Sequence, residues 1–320
     1  MSRRVELHTH LEGSLTPVRL VALAERYGQP GLLVACLDPS GKSYQYDGFA
    51  GFLRLYRDVT SVLRTPRDFR EITLDLGEQL AADNVDQAEV TVSYGVLLSR
   101  GIDPRPIQQA LHEAAQEVWE TRGIRLSWLP DAVRQWGLDK AWRAWEAAAT
   151  CGRDLGVVGF GLGGDETNGP AADFAPLFAD VAVEGLGISI HAGEIPSMGD
   201  AGRHSVREAV EICGATRIGH GLAAASDPLL LALLAARGVH VEACPRSNLA
   251  TGAIDRLEDH PLRIFLAAGV PCSLNTDDRG LFGLDLAGEY DAAREAFDLT
   301  DVEVETMAAS AREAAFAVTC

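Results

Sequence analysis

The chain has 320 residues, of which 47% are hydrophobic and 23% charged, and its mean hydropathy is +0.02. This balance suits one globular unit with a large core, so we treat residues 1–320 as a single domain. The net charge of −18 argues against a nucleic-acid duplex as partner, because phosphate binding needs a basic face, so we expect no nucleic-acid partner.

Targeting and redox signals are sparse. No apolar stretch reaches the roughly 18 residues that cross a bilayer, and no apolar run follows Arg3-Arg4, so we expect neither a membrane contact nor a secretory signal. The six cysteines are scattered without CxxC spacing, which favours a reducing cytoplasm.

Eight short β-type runs recur along the chain: Arg4–His8, Val85–Ser93, Ile124–Leu129, Val157–Leu162, Gly187–His191, Thr216–His220, Val239–Ala243 and Val270–Asn275. Between them lie apolar residues at helical spacing, in Ile107–Glu120, Ala141–Cys151, Ala172–Glu184, Val206–Cys213 and Leu229–Ala236. This alternation predicts the α/β class and a parallel (β/α)8 TIM barrel. An open doubly wound sheet is the alternative, but the GxGxxG loop typical of its dinucleotide-binding members is missing after the first strand.

The connection after the first strand is much longer than a regular unit needs, and we interpret about 15–83 as a helical insertion. Helical patterns occupy Pro17–Tyr27, Phe49–Leu63 and Pro66–Asp83. An aromatic set comprises Tyr44, Tyr46, Phe49, Phe52 and Tyr56. In a barrel this segment would emerge over the mouth, which predicts a lid that excludes water. The alternative is a set of extra core helices.

Polar side chains follow several predicted strands at the end where barrel enzymes carry their catalytic groups. They are His8 and His10 on strand one, His191 on strand five, His220 on strand six, and Asp277-Asp278 after strand eight. Residues i and i+2 share one side of a strand, so His8 and His10 can bind the same ion. A lone histidine at a strand end is more often a hydrogen-bonded core residue. Their convergence instead predicts one divalent metal ion, zinc first, with a position left for water.

The motifs resemble the adenosine deaminase branch of the amidohydrolases. They are His8-Thr9-His10-Leu11-Glu12-Gly13-Ser14, His191-Ala192-Gly193-Glu194, Arg217-Ile218-Gly219-His220-Gly221, Cys244-Pro245-Arg246-Ser247-Asn248 and Ser273-Leu274-Asn275-Thr276-Asp277-Asp278, in the family's order over nearly the whole chain. The resemblance implies an amidohydrolase-type barrel whose zinc ligands are His8, His10, His191 and Asp277.

The resemblance also implies roles for other residues. Glu194 would protonate purine N1, and His220 would orient and deprotonate the attacking water. Asp278 would hydrogen-bond N7, and the backbone N–H of Gly164 would reach N3. The implied reaction replaces the 6-amino group of a purine nucleoside with an oxo group and releases ammonia.

A second deaminase signature is incomplete. His240-Val241-Glu242 matches the H-x-E half of the cytidine-type zinc deaminases, which also need P-C-x-x-C. Pro271-Cys272 is followed by Asn275 where the second cysteine should be, and His240 begins a strand. We therefore exclude this class and interpret His240 as structural.

The substrate is predicted from departures from the family pattern. Glu12 stands where adenosine deaminases usually have an aspartate that contacts the ribose 5′-hydroxyl. Arg279 follows the Asp277-Asp278 pair, and Arg246 lies on the same rim, and either guanidinium could bind a carboxylate. Aminodeoxyfutalosine, a menaquinone-pathway nucleoside with a benzoate beyond its 5′ carbon, fits these arginines. We rank it above adenosine and then adenine, and surface arginines paired with acids are the alternative.

Two other classes of protein remain open. A binuclear amidohydrolase bridged by a carbamylated lysine would need a lysine on the middle strands, and neither Lys42 nor Lys140 lies on one. A binding protein that keeps the fold would have lost a ligand or the acid, and this chain retains them. The sequence leaves the oligomeric state and the metal in the cell open.

Overall fold

A computed structural model describes residues 3–316. Its eight strands form one parallel sheet in sequence order, from β1 to β8. They are β1 Arg4–His10, β2 Val85–Val92, β3 Arg125–Val133, β4 Gly159–Gly163, β5 Gly187–Ala192, β6 Arg217–His220, β7 His240–Ala243 and β8 Cys272–Leu274. Each of the eight predicted strands is present, with bounds that differ by up to four residues.

The sheet closes on itself between β8 and β1. The side-chain Oδ1 of Asn275 accepts the backbone N–H groups of Leu7 and His8, at 2.9 and 3.2 Å. Beyond it, Asp277 N–H donates to the carbonyl of His8, and His10 N–H donates to the carbonyl of Asp277. An asparagine side chain thus replaces part of the backbone ladder. The predicted barrel is confirmed, and the open doubly wound alternative is wrong.

Fifteen α-helices lie within the described part of the chain. They are α1 Pro17–Arg26, α2 Pro30–Cys36, α3 Gly48–Val59, α4 Pro66–Ala82, α5 Tyr94–Ser99, α6 Pro104–Arg122, α7 Leu138–Cys151, α8 Ala175–Val183, α9 Asp200–Glu211, α10 Pro228–Arg237, α11 Pro245–Ala250, α12 Leu262–Ala267, α13 Arg279–Phe282, α14 Leu286–Ala296 and α15 Asp301–Ala314. Among residues 3–316, no helix is both long and apolar enough to span a membrane.

Strand β1 illustrates how the sequence pattern positions the site. Val5 and Leu7 pack outward with Ala311 of α15 in a small apolar cluster. Because successive side chains on a strand alternate between its faces, His8 and His10 lie on the opposite face. Both histidines are buried at the carboxyl end of the barrel.

The long connection after β1 contains two kinds of helix. Helix α4 begins with Thr65 and Asp68 in a reciprocal capping box, and it packs against α6 and β2 as an outer barrel helix. Helices α1 to α3 are additional elements, and α3 contributes the wall of a cavity at the barrel mouth. The insertion that we placed at about 15–83 therefore includes a regular barrel helix at its carboxyl end. We call residues 17–59, which hold α1 to α3, the mouth segment.

Candidate active site

Four side chains from three places in the barrel converge at its carboxyl end. His8 and His10 come from β1, His191 from β5 and Asp277 from the segment after β8. One possible ligand atom from each lies within 4.8 Å of the others. His10 Nε2 is 3.3 Å from both His191 Nε2 and Asp277 Oδ1, while His8 Nε2 is 3.5 Å from that oxygen.

The chemistry of these donors fits a divalent metal ion. Burial lowers the pKa of His10 to about 4 and that of His191 well below its usual value, so both imidazoles offer lone pairs at neutral pH. Within residues 3–316, the Nε2 atom of His8 is buried and has no hydrogen-bond partner. Three imidazoles and one carboxylate are a common donor set for zinc and similar ions.

A buried carboxylate orients His8. Glu242 Oε2 lies 2.7 Å from His8 Nδ1, and Glu242 Oε1 lies 2.6 Å from Arg217 Nε. Burial opposes ionisation of Glu242, but Arg217 and His8 outweigh it and lower the pKa to about 2. The ionised carboxylate accepts Nδ1–H and leaves Nε2 directed toward His191 and Asp277, an arrangement that is typical of histidines in metal sites. Glu242 belongs to the H-x-E stretch that sequence reasoning set aside, so its contact with His8 was missed.

Asp277 is held in an unusual conformation. Its φ of 60° lies in the left-handed region, as does the 64° of His220, and such backbone strain in non-glycine residues is concentrated at functional sites. Ser247 Oγ donates to Asp277 Oδ2 at 2.6 Å. This bond leaves Oδ1 facing the imidazoles of His8 and His10.

Glu194 lies beyond β5 and is fixed through its own backbone. The two carboxylate oxygens of Glu166 accept the N–H groups of Gly193 and Glu194. Burial, aided by the charge of Asp277, raises the pKa of Glu194 to about 8, so this carboxyl is protonated at neutral pH. Glu166 is a second residue that sequence reasoning missed.

His220, at the end of β6, lies beside this acid. Its Nε2 is 3.8 Å from Glu194 Oε1, and its Nδ1 is 3.1 Å from the carboxamide nitrogen of Asn248. Burial lowers the pKa of His220 to about 4, so the ring is neutral and can accept a proton. If the carboxamide of Asn248 is rotated, its oxygen accepts a hydrogen bond from Nδ1–H of His220. The Nε2 atom of His220 is then free to accept a proton.

Asp278 completes the polar wall. Burial, with the neighbouring Asp277, raises the pKa of Asp278 well above the usual range. Its Oδ1 is buried and has no hydrogen-bond partner among the described residues. A Cβ at Gly13 would overlap that carboxylate, so glycine is required for this close approach. Gly164 also lines the cavity, with a φ of 97° that favours glycine.

These groups line a cavity of about 390 Å³. Its deep wall carries the polar side chains His10, Asp131, His191, Glu194, His220, Asp277 and Asp278. Its outer wall comes mainly from α3, with Phe49, Phe52 and Tyr56 of the aromatic set. Asp131 is a third missed residue, because β3 continues beyond the Leu129 at which we ended it. The cavity thus joins a polar floor to an aromatic rim.

Three residues expected to contact substrate lie outside this lining. Glu12 is buried, and its Oε1 accepts the N–H of Ser93 at 3.0 Å. The guanidinium of Arg279 is 1% exposed and forms ion pairs with Glu6 and Asp83. These pairs occupy the Arg279 guanidinium, so the expectation that it binds a substrate carboxylate is wrong.

Arg246 also turns away from the cavity. Its backbone N–H donates to Glu289 Oε1 at 3.0 Å, and its guanidinium Nε lies 3.9 Å from Glu289 Oε2. The side chain packs against α14 and does not line the cavity. The predicted contact between Arg246 and substrate is therefore corrected as well.

Comparison with known proteins agrees with this architecture. The adenosine deaminase family profile matches residues 3–319. The chain is 38% identical over 294 residues to an aminodeoxyfutalosine deaminase of Acidothermus cellulolyticus, covering 91% of this chain and 82% of that one. It is 36% identical over 320 residues to an adenine deaminase of Rhizobium leguminosarum bv. trifolii, covering 98% and 94%.

A solved structure gives the same picture. The crystal structure of an adenine deaminase from Arthrobacter aurescens superimposes with a TM-score of 0.86 at 28% identity, covering 99% of this chain and 94% of that one. Together the comparisons identify a hydrolase of carbon–nitrogen bonds that deaminates adenine-type substrates and binds a divalent metal. The chain belongs to the adenosine deaminase family of amidohydrolases.

Proposed function

We propose that this protein uses zinc to deaminate a 6-aminopurine nucleoside modified beyond its 5′ carbon, with aminodeoxyfutalosine as the first candidate. The observation that carries the proposal is the reach of the cavity. It extends from Glu194 and Asp278 at the strand ends to Phe49 and Phe52 of α3, which leaves an aromatic wall beyond the reacting groups. An aromatic ring attached to the ribose would pack there.

The metal would be held by His8, His10, His191 and Asp277. A divalent ion held by these donors would make the attacking water more acidic, and so would supply a nucleophile at neutral pH. The remaining residues then bind the purine, supply a proton and accept one.

Glu194 is the proposed general acid. Its buried, protonated carboxyl donates to purine N1, which makes C6 more susceptible to attack because the ring accepts the electron pair. Glu166 holds the Gly193 and Glu194 backbone, and so sets the direction of this donation.

His220 and Asp278 act on the attacking water. The neutral imidazole of His220 accepts a proton from the water as the water oxygen bonds to C6. The carboxyl of Asp278 orients the same water and contacts N7 of the purine. The amino group then takes the proton held by His220 and leaves as ammonia, and loss of the proton on the new hydroxyl group, which restores the protonated form of Glu194, gives the 6-oxo purine. The N–H of Gly164, on the cavity wall, would bind N3 and hold the ring in register.

Adenosine and then adenine are the alternative substrates. The Rhizobium relative is named an adenine deaminase, as is the Arthrobacter structure. Free adenine would leave the aromatic rim of α3 unused, which is why we rank it last.

The decisive measurement is ammonia release by the zinc-loaded protein with aminodeoxyfutalosine, adenosine and adenine. We expect kcat/KM to be highest for aminodeoxyfutalosine and lowest for adenine. A tenfold preference for either alternative would overturn the substrate assignment while leaving the deaminase reaction intact.

A further inference from the structure

Two arginines line the cavity on its outer side. Arg57 lies on α3, and Arg100 follows α5. Within residues 3–316, they are the only arginine or lysine side chains on the cavity wall. The side chain of Arg57 is 68% exposed, against 10% for Glu194, so the positive charge lies toward the mouth and the acids lie at the floor.

In the described part of the chain, the groups that accept hydrogen bonds from the Arg100 guanidinium are all neutral. It donates to the carbonyls of Thr60 and Arg57, at 2.6 and 2.9 Å, and to Thr60 Oγ1 at 2.8 Å. Among the described residues it forms no ion pair with a carboxylate, whereas Arg217 and Arg279 each pair with two acids. Burial lowers the pKa of Arg100, which reflects a partly desolvated cation. Such a cation is stabilised by an anion that enters the cavity.

Arg57 stands beside Arg100 and is more accessible. Its Nε donates to Asp58 Oδ1 at 2.9 Å, and both side chains are exposed. An exposed pair of this kind contributes little stability, so Arg57 can turn to a ligand at small cost. The Arg57 carbonyl accepts from Arg100, so the two residues are in direct contact.

Apolar side chains lie on the same cavity wall. Phe49 and Leu53 line it from α3, and Val96 and Trp136 line it from other elements of the mouth. A ring packed among them could present a charged substituent to the arginines.

We propose that Arg57 and Arg100 bind a carboxylate carried on an aromatic ring beyond the 5′ carbon of the nucleoside. This assignment rests on the proposed function. Recognition of the substrate carboxylate is thereby assigned to Arg57 in the mouth segment and to Arg100 after α5, in place of Arg246 and Arg279.

The test compares two substrates that differ in the charge of one substituent: a 5′-aryl 6-aminopurine nucleoside with a free carboxylate, and its uncharged methyl ester. The variants are Arg57→Gln, Arg100→Gln and the double variant. Arg54→Gln is the matched control, because Arg54 is exposed on the same helix and does not line the cavity. The measured quantity is the acid-to-ester ratio of kcat/KM.

The unmodified protein should prefer the acid. Each single substitution should lower the acid-to-ester ratio roughly tenfold, as expected for a lost charge-assisted hydrogen bond, and Arg54→Gln should leave it unchanged. The preference should also weaken with added salt, because Arg57 is exposed. An unchanged ratio in the double variant would overturn the assignment and leave Arg100 as a tether between α5 and the mouth segment.

Calorimetric binding of the 6-oxo products, as acid and ester, separates this inference from the proposed function. Loss of the difference in Kd between acid and ester in the variants supports the arginine site, whether or not turnover is fast. Equal Kd values for the unmodified protein overturn it, even if ammonia is released rapidly. Arg57→Gln keeps the test valid should Arg100→Gln fail to fold, since Arg57 is exposed.

Discussion

The strand ends and the mouth segment enclose one cavity but are built on different physical principles. At the strand ends, polar side chains are buried and held by other buried polar groups, as His8 is by Glu242 and Asp277 is by Ser247. In the mouth segment, α3 presents aromatic rings and an exposed arginine to the cavity.

This difference separates reaction from substrate choice. A carboxylate buried between an arginine and a histidine holds its geometry closely, because any displacement leaves a charge without a partner. A partly exposed helix tolerates changes in size and charge at lower cost. We therefore expect substitutions at the strand ends to change kcat or metal affinity, and substitutions on α3 to change which substrate is accepted.

Replacement of Glu194 should have the largest effect. Glu194→Gln keeps the shape of the side chain but removes the proton that the carboxyl donates to N1. We expect kcat to fall roughly 10²–10⁴-fold, the range for loss of a general acid, with the metal content unchanged. Steady-state kinetics and metal analysis of the same preparation would measure both.

Glu184→Gln provides the control, since Glu184 is exposed at the end of α8 and contacts nothing in the cavity. Turnover near that of the unmodified protein by metal-loaded Glu194→Gln would contradict the acid assignment.

Glu242→Gln should have the next largest effect, and on metal affinity first. The substitution removes the negative charge between Arg217 and His8, so Nδ1–H loses its ionised acceptor. Loss of the hydrogen-bond acceptor behind a metal-binding imidazole typically weakens metal binding 10–100-fold, and competition with a chelator would measure the loss. Glu258→Gln, at an exposed carboxylate, should bind the metal normally. Equal affinity in the two variants would remove Glu242 from the metal site.

The sequence predicted which polar side chains meet at the strand ends because their positions depend on local rules. Alternation along a strand directs His8 and His10 to one side, and parallel strands bring His191 and Asp277 to the same end of the barrel. These rules need only the strand positions. The structure confirms the predicted strand positions.

The residues that sequence reasoning missed depend on contacts between distant segments. Glu242 reaches His8 from β7, and Glu166 reaches Glu194 from the segment after β4. Neither contact has a local pattern. Asp131 was missed because the predicted strand ended at Leu129, whereas Pro130 pairs in register with Val92 and the strand continues to Val133.

The error at Arg279 has a similar origin. Adjacency to Asp278 suggested a place at the cavity, but Arg279 begins the short helix α13, and its side chain turns to Glu6 and Asp83. Adjacency in the sequence placed Arg279 near the cavity but did not predict the direction of its side chain. The Arg279 side chain pairs with Glu6, a buried acid on β1, and this pairing could not be inferred from the spacing of residues in the sequence.

The smallest expected effect lies in the mouth segment, at Phe49. Phe49→Ala removes part of the apolar wall and should raise KM for a 5′-aryl nucleoside about fivefold, corresponding to about 1 kcal/mol of lost apolar contact, with kcat nearly unchanged. KM for adenine should change little, because the free base does not reach α3. Val18→Ala, an 81% exposed position on α1, is the matched control. A hundredfold loss of kcat at constant KM would instead mean that α3 acts on the reacting atoms, and the division of labour between strand ends and mouth segment would fail.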